Sequence, residues 1–186
     1  MSAVEVLRSA MPDAAKDARL NLPAVLAAGG ALSPTRTWGT ALAAAVSLGR
    51  RDLLDALLED ARAALGDGFV AVYDDAVTAA TLMAMNNVYY RFRHQIGKPE
   101  YATRPARLRM TKLAAPATNK ADLELFSVAV SAINGCEACV RAHEAALLGH
   151  GVGVPEIEDA VRIAAVVASA ATALFAGEAI PVRERP

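Results

Sequence analysis

Apolar positions recur at three- and four-residue intervals along most of this chain, the spacing that lines one face of an α-helix. Val4, Leu7 and Ala10 mark a short first helix closed by Pro12, and Asp13 to Leu26 continues helically. Pro23 reads there as a kink or an end, before Gly29-Gly30 breaks the chain. Ser33-Pro34 reads as an N-cap followed by proline at the first helical position, opening a helix through Trp38 and Leu42 to Leu48 that stops at Gly49. The next helix begins near Arg51, carries Leu54, Leu57, Leu58, Ala61 and Leu65 on one face, and ends at Gly66. A longer one covers Phe69 to Arg93. Gln95 to Arg107, with Gly97, Pro99 and Pro105, is the chief irregular stretch. After Pro116 and Thr118 a helix spans Lys120 to Ile133, Asn134-Gly135 interrupts it, and Cys136 to Leu148 forms another helical segment. Gly149, Gly151 and Gly153 make a linker, and Pro155 opens a last helix ending near Gly177. The expected fold class is all-α, a multi-helix bundle.

The two halves echo one another. Trp38-Gly39-Thr40-Ala41 through Val46 aligns with Phe126-Ser127-Val128-Ala129 through Asn134, an offset of 88 residues. Asp74-Asp75-Ala76-Val77 aligns with Glu158-Asp159-Ala160-Val161, an offset of 84. Both lead into alanine-rich apolar helices. The expectation is a single domain over 1–186 built from an internally duplicated helical unit, with pseudo-repeats at about 33–95 and 120–178. At the first offset Cys136 and Cys139 fall opposite Leu48 and Arg51, so only the second copy would carry thiol chemistry.

Composition sharpens this picture. A chain of 186 residues with 54% hydrophobic content fills one sizeable core. Much of that content is alanine, the best helix former, while aromatics are only 5%. A formal net charge of -1 leaves no cation excess for phosphates, so no nucleic-acid partner is expected. Glu5 and Arg8 interrupt any signal-peptide core at the start. The longest uncharged stretch, Ile163 to Gly177, is shorter than the roughly 20 apolar residues of a membrane helix. The mean hydropathy of +0.28 then points to helices buried on most sides, some against copies of the same chain. A cytoplasmic homo-oligomer with no membrane partner is the expectation. Two cysteines are too few for a secreted disulfide scaffold, and they stand at the spacing of redox and metal sites.

On a helix starting near Gly135, Cys136, Cys139 and His143 would share one stripe. A thiol reacts as its thiolate, and a free cysteine titrating near ~8.5 is mostly protonated at neutral pH. The positive end of the helix would favour ionisation of Cys136. The imidazole of His143 would favour Cys139. These arguments leave open which thiol attacks first. A CxxC pair closes into a disulfide without refolding, so one thiol attacks and the other resolves. The alternative is a zinc site, which would need Cys136, Cys139, His143 and His150 as a cramped four-ligand set. Glu124 is a second candidate: flanked by Leu123, Leu125 and Phe126, it either faces solvent or turns inward, where burial would raise its pKa and make it a proton donor or relay. Asn86-Asn87 and Tyr89-Tyr90-Arg91 are read as helix capping, and His94 and His150 as surface or capping residues.

At these residues the chain resembles the alkylhydroperoxidase D family of the carboxymuconolactone decarboxylase-like superfamily. The run from Leu123-Glu124-Leu125-Phe126 through Ser131-Ala132-Ile133-Asn134-Gly135-Cys136 is similar to its active-site approach, and Cys139 and Ala142-His143-Glu144 complete it. Met85-Asn86-Asn87-Val88-Tyr89-Tyr90-Arg91, Leu108-Arg109-Met110 and Trp38-Gly39-Thr40 are further family-like segments. The resemblance implies an all-helical, internally duplicated subunit that forms a trimer. It implies an antioxidant thiol peroxidase that reduces organic hydroperoxides, with hydrogen peroxide or peroxynitrite as further candidates. Reducing equivalents would come from dihydrolipoamide on a lipoylated protein, with no bound cofactor or metal. By resemblance Cys139 is the peroxidatic nucleophile, Cys136 the resolving thiol, His143 the general base and Glu124 part of the proton relay. One departure stands out. Family members commonly place a histidine just before the second cysteine, where this chain has Ala138, and Glu137 adds a carboxylate expected to raise a nearby thiol's pKa. The departure bears on rate and relay geometry. Rival readings are a dithiol adaptor that passes electrons to a partner peroxiredoxin, a non-redox decarboxylase of the superfamily, and a non-catalytic zinc-binding scaffold.

Overall fold

A computed structural model describes residues 1–179, and among them the secondary structure is helical with no strand. The helices are α1 (Ala3–Leu7), α2 (Lys16–Leu26), α3 (Pro34–Leu48), α4 (Arg51–Leu65), α5 (Phe69–Ile96), α6 (Pro99–Ala102), α7 (Lys120–Ile133), α8 (Glu137–Gly149) and α9 (Val154–Ala179). The all-α bundle expected from the apolar spacing is present.

Local chemistry sets most of the boundaries. Ser33 caps α3 by accepting from the Arg36 amide, with Pro34 behind it, and Gly49 closes the helix in the left-handed conformation at φ 68°. Asn119 caps α7 in the same way through the Asp122 amide. Two boundaries differ from expectation. α5 runs three residues past Arg93 to Ile96, because nothing before Gly97 (φ 62°) supplies a left-handed stop. Pro23 neither starts nor ends α2. A proline at that position cannot bond the carbonyl of Arg19, and the Arg8 guanidinium donates to that oxygen instead at 3.3 Å.

α3 and α7 form the centre, and each packs against α5, α9 and the other. Every residue of α7 from Asp122 to Ser131 is buried, as is every residue of α3 from Gly39 to Ala45. A helix buried on all sides must be small-sided or fitted to its neighbours. Alanines satisfy the first requirement. Gly39 satisfies the second, because the fully buried Phe126 ring occupies the space a Cβ would take there.

Two aspartates at the aligned positions do matching work across the halves. Asp75, on α5, is 1% exposed and accepts from the amides of Ala117 and Thr118, in the segment that enters α7. Asp159, on α9, accepts from the Ala31 amide at 2.7 Å, in the segment that enters α3. Each central helix is therefore tied at its entry by a carboxylate from the other half.

The last helix is longer than its uncharged stretch suggested. Val154–Glu178 reaches a mean hydropathy of 1.8, and by length and composition it and the Arg51–Ile96 run are long and apolar enough to cross a membrane. In each, 44% of the apolar window is buried inside the fold, and α9 packs on α2, α3 and α7.

Replacing Gly39 with alanine should be costly, since the Phe126 ring has no free volume to move into. We expect Gly39→Ala to lower unfolding free energy by about 1–3 kcal/mol in urea titrations. A loss within experimental error would show that α3 and α7 can separate at no cost.

Candidate active site

The site begins where α7 ends. Gly135, at φ 63°, follows the C-cap Asn134, and its amide bonds the Ala132 carbonyl while the Cys136 amide bonds the Ser131 carbonyl, both at 3.1 Å. This is a Schellman closure, which satisfies the last carbonyls of α7 and turns the chain sharply. It delivers Cys136 to the entrance of α8, where its carbonyl accepts the first helical bond, from Val140 at 2.9 Å. Cys136 therefore sits at the N-cap with φ -93° and ψ 89°, outside the helix. The expected three-residue stripe is corrected: only Cys139 and His143, four apart on α8, share a helix face.

Cys136 and Cys139 are joined as a disulfide with Cα atoms 5.3 Å apart, inside the range such bonds require. Cys136 at the N-cap and Cys139 in the first turn of α8 both lie near the positive end of its dipole, which favours thiolate over thiol when the pair is reduced. Cys136 is fully buried. Cys139 retains 6% exposure and lines a predominantly apolar cavity of about 200 Å³ together with Met83, Asn86, Tyr90, Ala138, Ala142 and His143.

Glu124 turns inward. Its Oε2 accepts from His143 Nδ1 at 2.6 Å, and its Oε1 lies 3.1 Å from Lys120 Nζ, one turn earlier on α7. The expectation that burial would leave this acid with a raised pKa is corrected. Burial does push the carboxyl up, but the hydrogen bond and charge of His143, joined by Lys120, outweigh it and hold Glu124 below its ordinary value. Glu124 is placed to orient the imidazole through Nδ1. The other ring nitrogen, Nε2, lies 3.2 Å from Met83 Sδ in the wall of the same cavity.

Three residues that sequence reasoning assigned to capping, or passed over, support this arrangement: two from within α5 and one from the start of α7. Asn87 is 1% exposed; its Nδ2 donates to Ser131 Oγ and its Oδ1 accepts from Asn134 Nδ2, each at 2.9 Å. Arg91, one turn on, donates to the Asn134 carbonyl. α5 thus clamps the turn that carries Cys136. Lys120 was the third, and its i,i+4 spacing to Glu124 was readable as a helical ion pair. The signal for Asn87 was an amide in an otherwise apolar stretch, which must find partners when buried.

Glu137 does not act on the thiols alone. Its exposed carboxylate pairs with Arg141 at 2.7 Å and lies 3.5 Å from His94. The four-ligand zinc set is not assembled: His150 caps the far end of α8, about 20 Å along the axis from Cys136. Among the described residues no group of three or more His, Cys, Asp or Glu is placed to hold a metal ion. A larger hollow of about 440 Å³, around Trp38 and Asp60, is lined by neither thiol nor imidazole.

A helical bundle with a dithiol at the head of one helix and a carboxylate-oriented histidine one turn on defines the class. Residues 99–180 match the carboxymuconolactone decarboxylase family. The chain is 58% identical over 178 residues to the alkyl hydroperoxide reductase AhpD of Anaeromyxobacter sp. (strain Fw109-5), covering 96% of this chain and 94% of that one. It is 54% identical to the AhpD of Anaeromyxobacter dehalogenans (strain 2CP-C), covering 96% and 95%, and 46% identical to that of Rhodopseudomonas palustris (strain BisB18), covering 95% of each. The chain belongs to the alkyl hydroperoxide reductase AhpD family, a family of peroxide-reducing enzymes.

The lowered Glu124 pKa carries a stability signature. A carboxyl depressed on folding stabilises the fold above its unfolded value, near 4.5, and that contribution is lost as pH falls through the lower folded value. Glu124→Gln should therefore be less stable than the parent at pH 7, with the gap closing in acid below about pH 4. A gap that stayed constant from pH 7 to pH 3 would contradict the ionised pairing.

Proposed function

We propose that this protein is a thiol peroxidase that reduces organic hydroperoxides and is itself re-reduced by a dihydrolipoyl group on a carrier protein. The observation that carries the reading is the Cys136–Cys139 disulfide at a cavity walled by Cys139 and by an imidazole held on Glu124. In the reduced enzyme His143 Nε2 takes the Cys139 proton, directly or through water, and Glu124 steadies the imidazolium that results. The Cys139 thiolate attacks the terminal peroxide oxygen. The O–O bond breaks, the alkoxide collects the proton from His143 and leaves as alcohol, and Cys139 becomes a sulfenic acid. Cys136 attacks that sulfur, forming the disulfide and releasing water. A dithiol donor then returns two electrons and two protons by exchange.

The greater burial of Cys136 and the cavity-facing position of Cys139 support this division of roles. The apolar walls favour an organic peroxide over hydrogen peroxide. No resident metal or cofactor enters the cycle, and a partner peroxiredoxin is not required by it. We place the enzyme in the cytoplasm, where a thiol cycle has reductant available. Assembly as a homotrimer is supported by apolar surface on α5, where exposed Val88 and Phe92 stand with Tyr101 edge-on to the Phe92 ring at 5.6 Å.

An internal duplication is part of the same reading. α3, α4 and α5, of 15, 15 and 28 residues, run parallel in order and length to α7, α8 and α9, of 14, 13 and 26. The reciprocal Asp75 and Asp159 ties support it further.

Thiol counting tests the cycle. One equivalent of cumene hydroperoxide should consume both thiols of reduced wild type and neither reactive step should occur in Cys139→Ser. Cys136→Ser should stop at a trappable sulfenic acid. Wild type that kept both thiols would end the peroxidase reading, and a sulfenic acid formed in Cys139→Ser instead would reverse the two roles.

A further inference from the structure

The apolar cavity at Cys139 does not end at Tyr90. Tyr90 and Ala138 also line a neighbouring open groove of about 630 Å³, whose other walls are Arg93, His94, Gly97, Lys98, Pro99 and Ala102. At 100° per residue, Met83, Asn86, Tyr90, Arg93, His94 and Gly97 fall on one stripe of α5. Val88 and Phe92 fall on the opposite one, so the groove is separate from the exposed apolar face. From Met83 to His94 the stripe runs roughly 16 Å at 1.5 Å per residue, and Lys98 follows just past the end of α5.

Polarity changes along it. The end at Cys139 is walled by Met83, Ala138, Ala142 and the Tyr90 ring, and the far end carries Arg93 and Lys98. Arg93 is held over the Tyr89 ring at 4.6 Å and donates to the Arg104 carbonyl, and among the described residues no carboxylate pairs with it. Lys98 is exposed and has no carboxylate partner among the described residues. The sequence around the groove is cationic: from Arg91 to Lys112 it holds seven of the chain's 19 Lys and Arg residues and one carboxylate, Glu100, with Lys112 paired to Asp74 at 2.9 Å. Glu137 lies beside His94 but is shared with Arg141.

We propose that this groove is an anion subsite, and that the preferred peroxides are extended anionic amphiphiles: long-chain fatty acid hydroperoxides bound with the carboxylate at Lys98 and Arg93 and the peroxide-bearing chain reaching past Ala138 to Cys139. This rests on the peroxidase reading above and names the substrate class of that same site. A small side chain at position 138 is what joins cavity and groove; a histidine there would stand between them. Two cations on an open surface each contribute a few-fold to binding of a carboxylate, or about tenfold together, and salt screens the effect.

The test compares a free linoleic acid hydroperoxide with its methyl ester, both below micelle-forming concentration, by single-turnover loss of thiols in the reduced protein. The acid should react about five- to tenfold faster than the ester with wild type at low salt, and the ratio should shrink at about 0.5 M salt. Lys98→Gln and Lys98→Gln/Arg93→Gln should bring the ratio close to one, stepwise. Ala138→His should slow both lipid peroxides relative to cumene hydroperoxide. Because each protein supplies its own acid-to-ester ratio, a variant that folds poorly does not mimic the result, and Lys98, exposed and unpaired, gives a variant that leaves the packing intact. A wild-type ratio of one, as expected if another copy of the chain or a protein partner covers the groove, overturns the subsite while leaving the peroxidase reading standing. Failure of every hydroperoxide to consume thiols overturns that reading instead.

Discussion

The geometry of the site depends on one turn, the closure of α7 at Asn134-Gly135. A helix as fully buried as α7 must dispose of its last carbonyls without water, and the Schellman bonds from Gly135 and Cys136 do so within the chain. The same bonds decide where Cys136 can be. The amide of Cys136 is tied to Ser131, its carbonyl begins α8, and Cys139 follows in the first turn. Asn87 and Arg91 then hold the turn from outside, so the CxxC spacing is presented on a braced corner rather than a free loop. A dithiol that alternates between bonded and free sulfurs benefits from such a corner, because the Cα atoms need not travel.

The second constraint is electrostatic. Glu124 sits between Leu123 and Leu125 on a largely buried helix, and an isolated carboxylate there would be strongly disfavoured. His143 and Lys120 together reverse that cost and keep the group ionised. The consequence is chemical as well as structural. An ionised Glu124 fixes the imidazole with Nδ1–H inward and leaves Nε2 in the cavity wall, four residues along the same face from Cys139. The fold thereby puts the imidazole and Cys139 in the wall of one cavity and leaves Cys136 outside that lining.

Much of this was legible in the sequence, for identifiable reasons. Helices α3, α4 and α7 have boundaries that short-range chemistry dictates, at Ser33-Pro34, Gly49, Gly66 and Asn134-Gly135, and such signals need no tertiary knowledge. The CxxC pair and His143 were visible by spacing. Glu124 was visible only as a choice between inside and outside, because the Leu123, Leu125 and Phe126 that flank it do not advertise which face meets α8. Its pKa direction could not be read at all, since it follows from a balance between burial and two partners. The roles of Asn87 and Arg91 were hidden for a related reason: their partners, Ser131 and Asn134, lie more than 40 residues away. The end of α5 was misplaced because His94 and Gln95 break the apolar rhythm without supplying a stop.

If the fold makes Cys139, and not Cys136, the attacking thiol, Cys139 is also the first to be alkylated. The direct test is to reduce the protein fully, treat it with less than one equivalent of iodoacetamide near neutral pH, and locate the first label by peptide mass spectrometry. Carbamidomethylation is expected at Cys139, falling sharply in His143→Gln. First labelling at Cys136, with no dependence on His143, would contradict it.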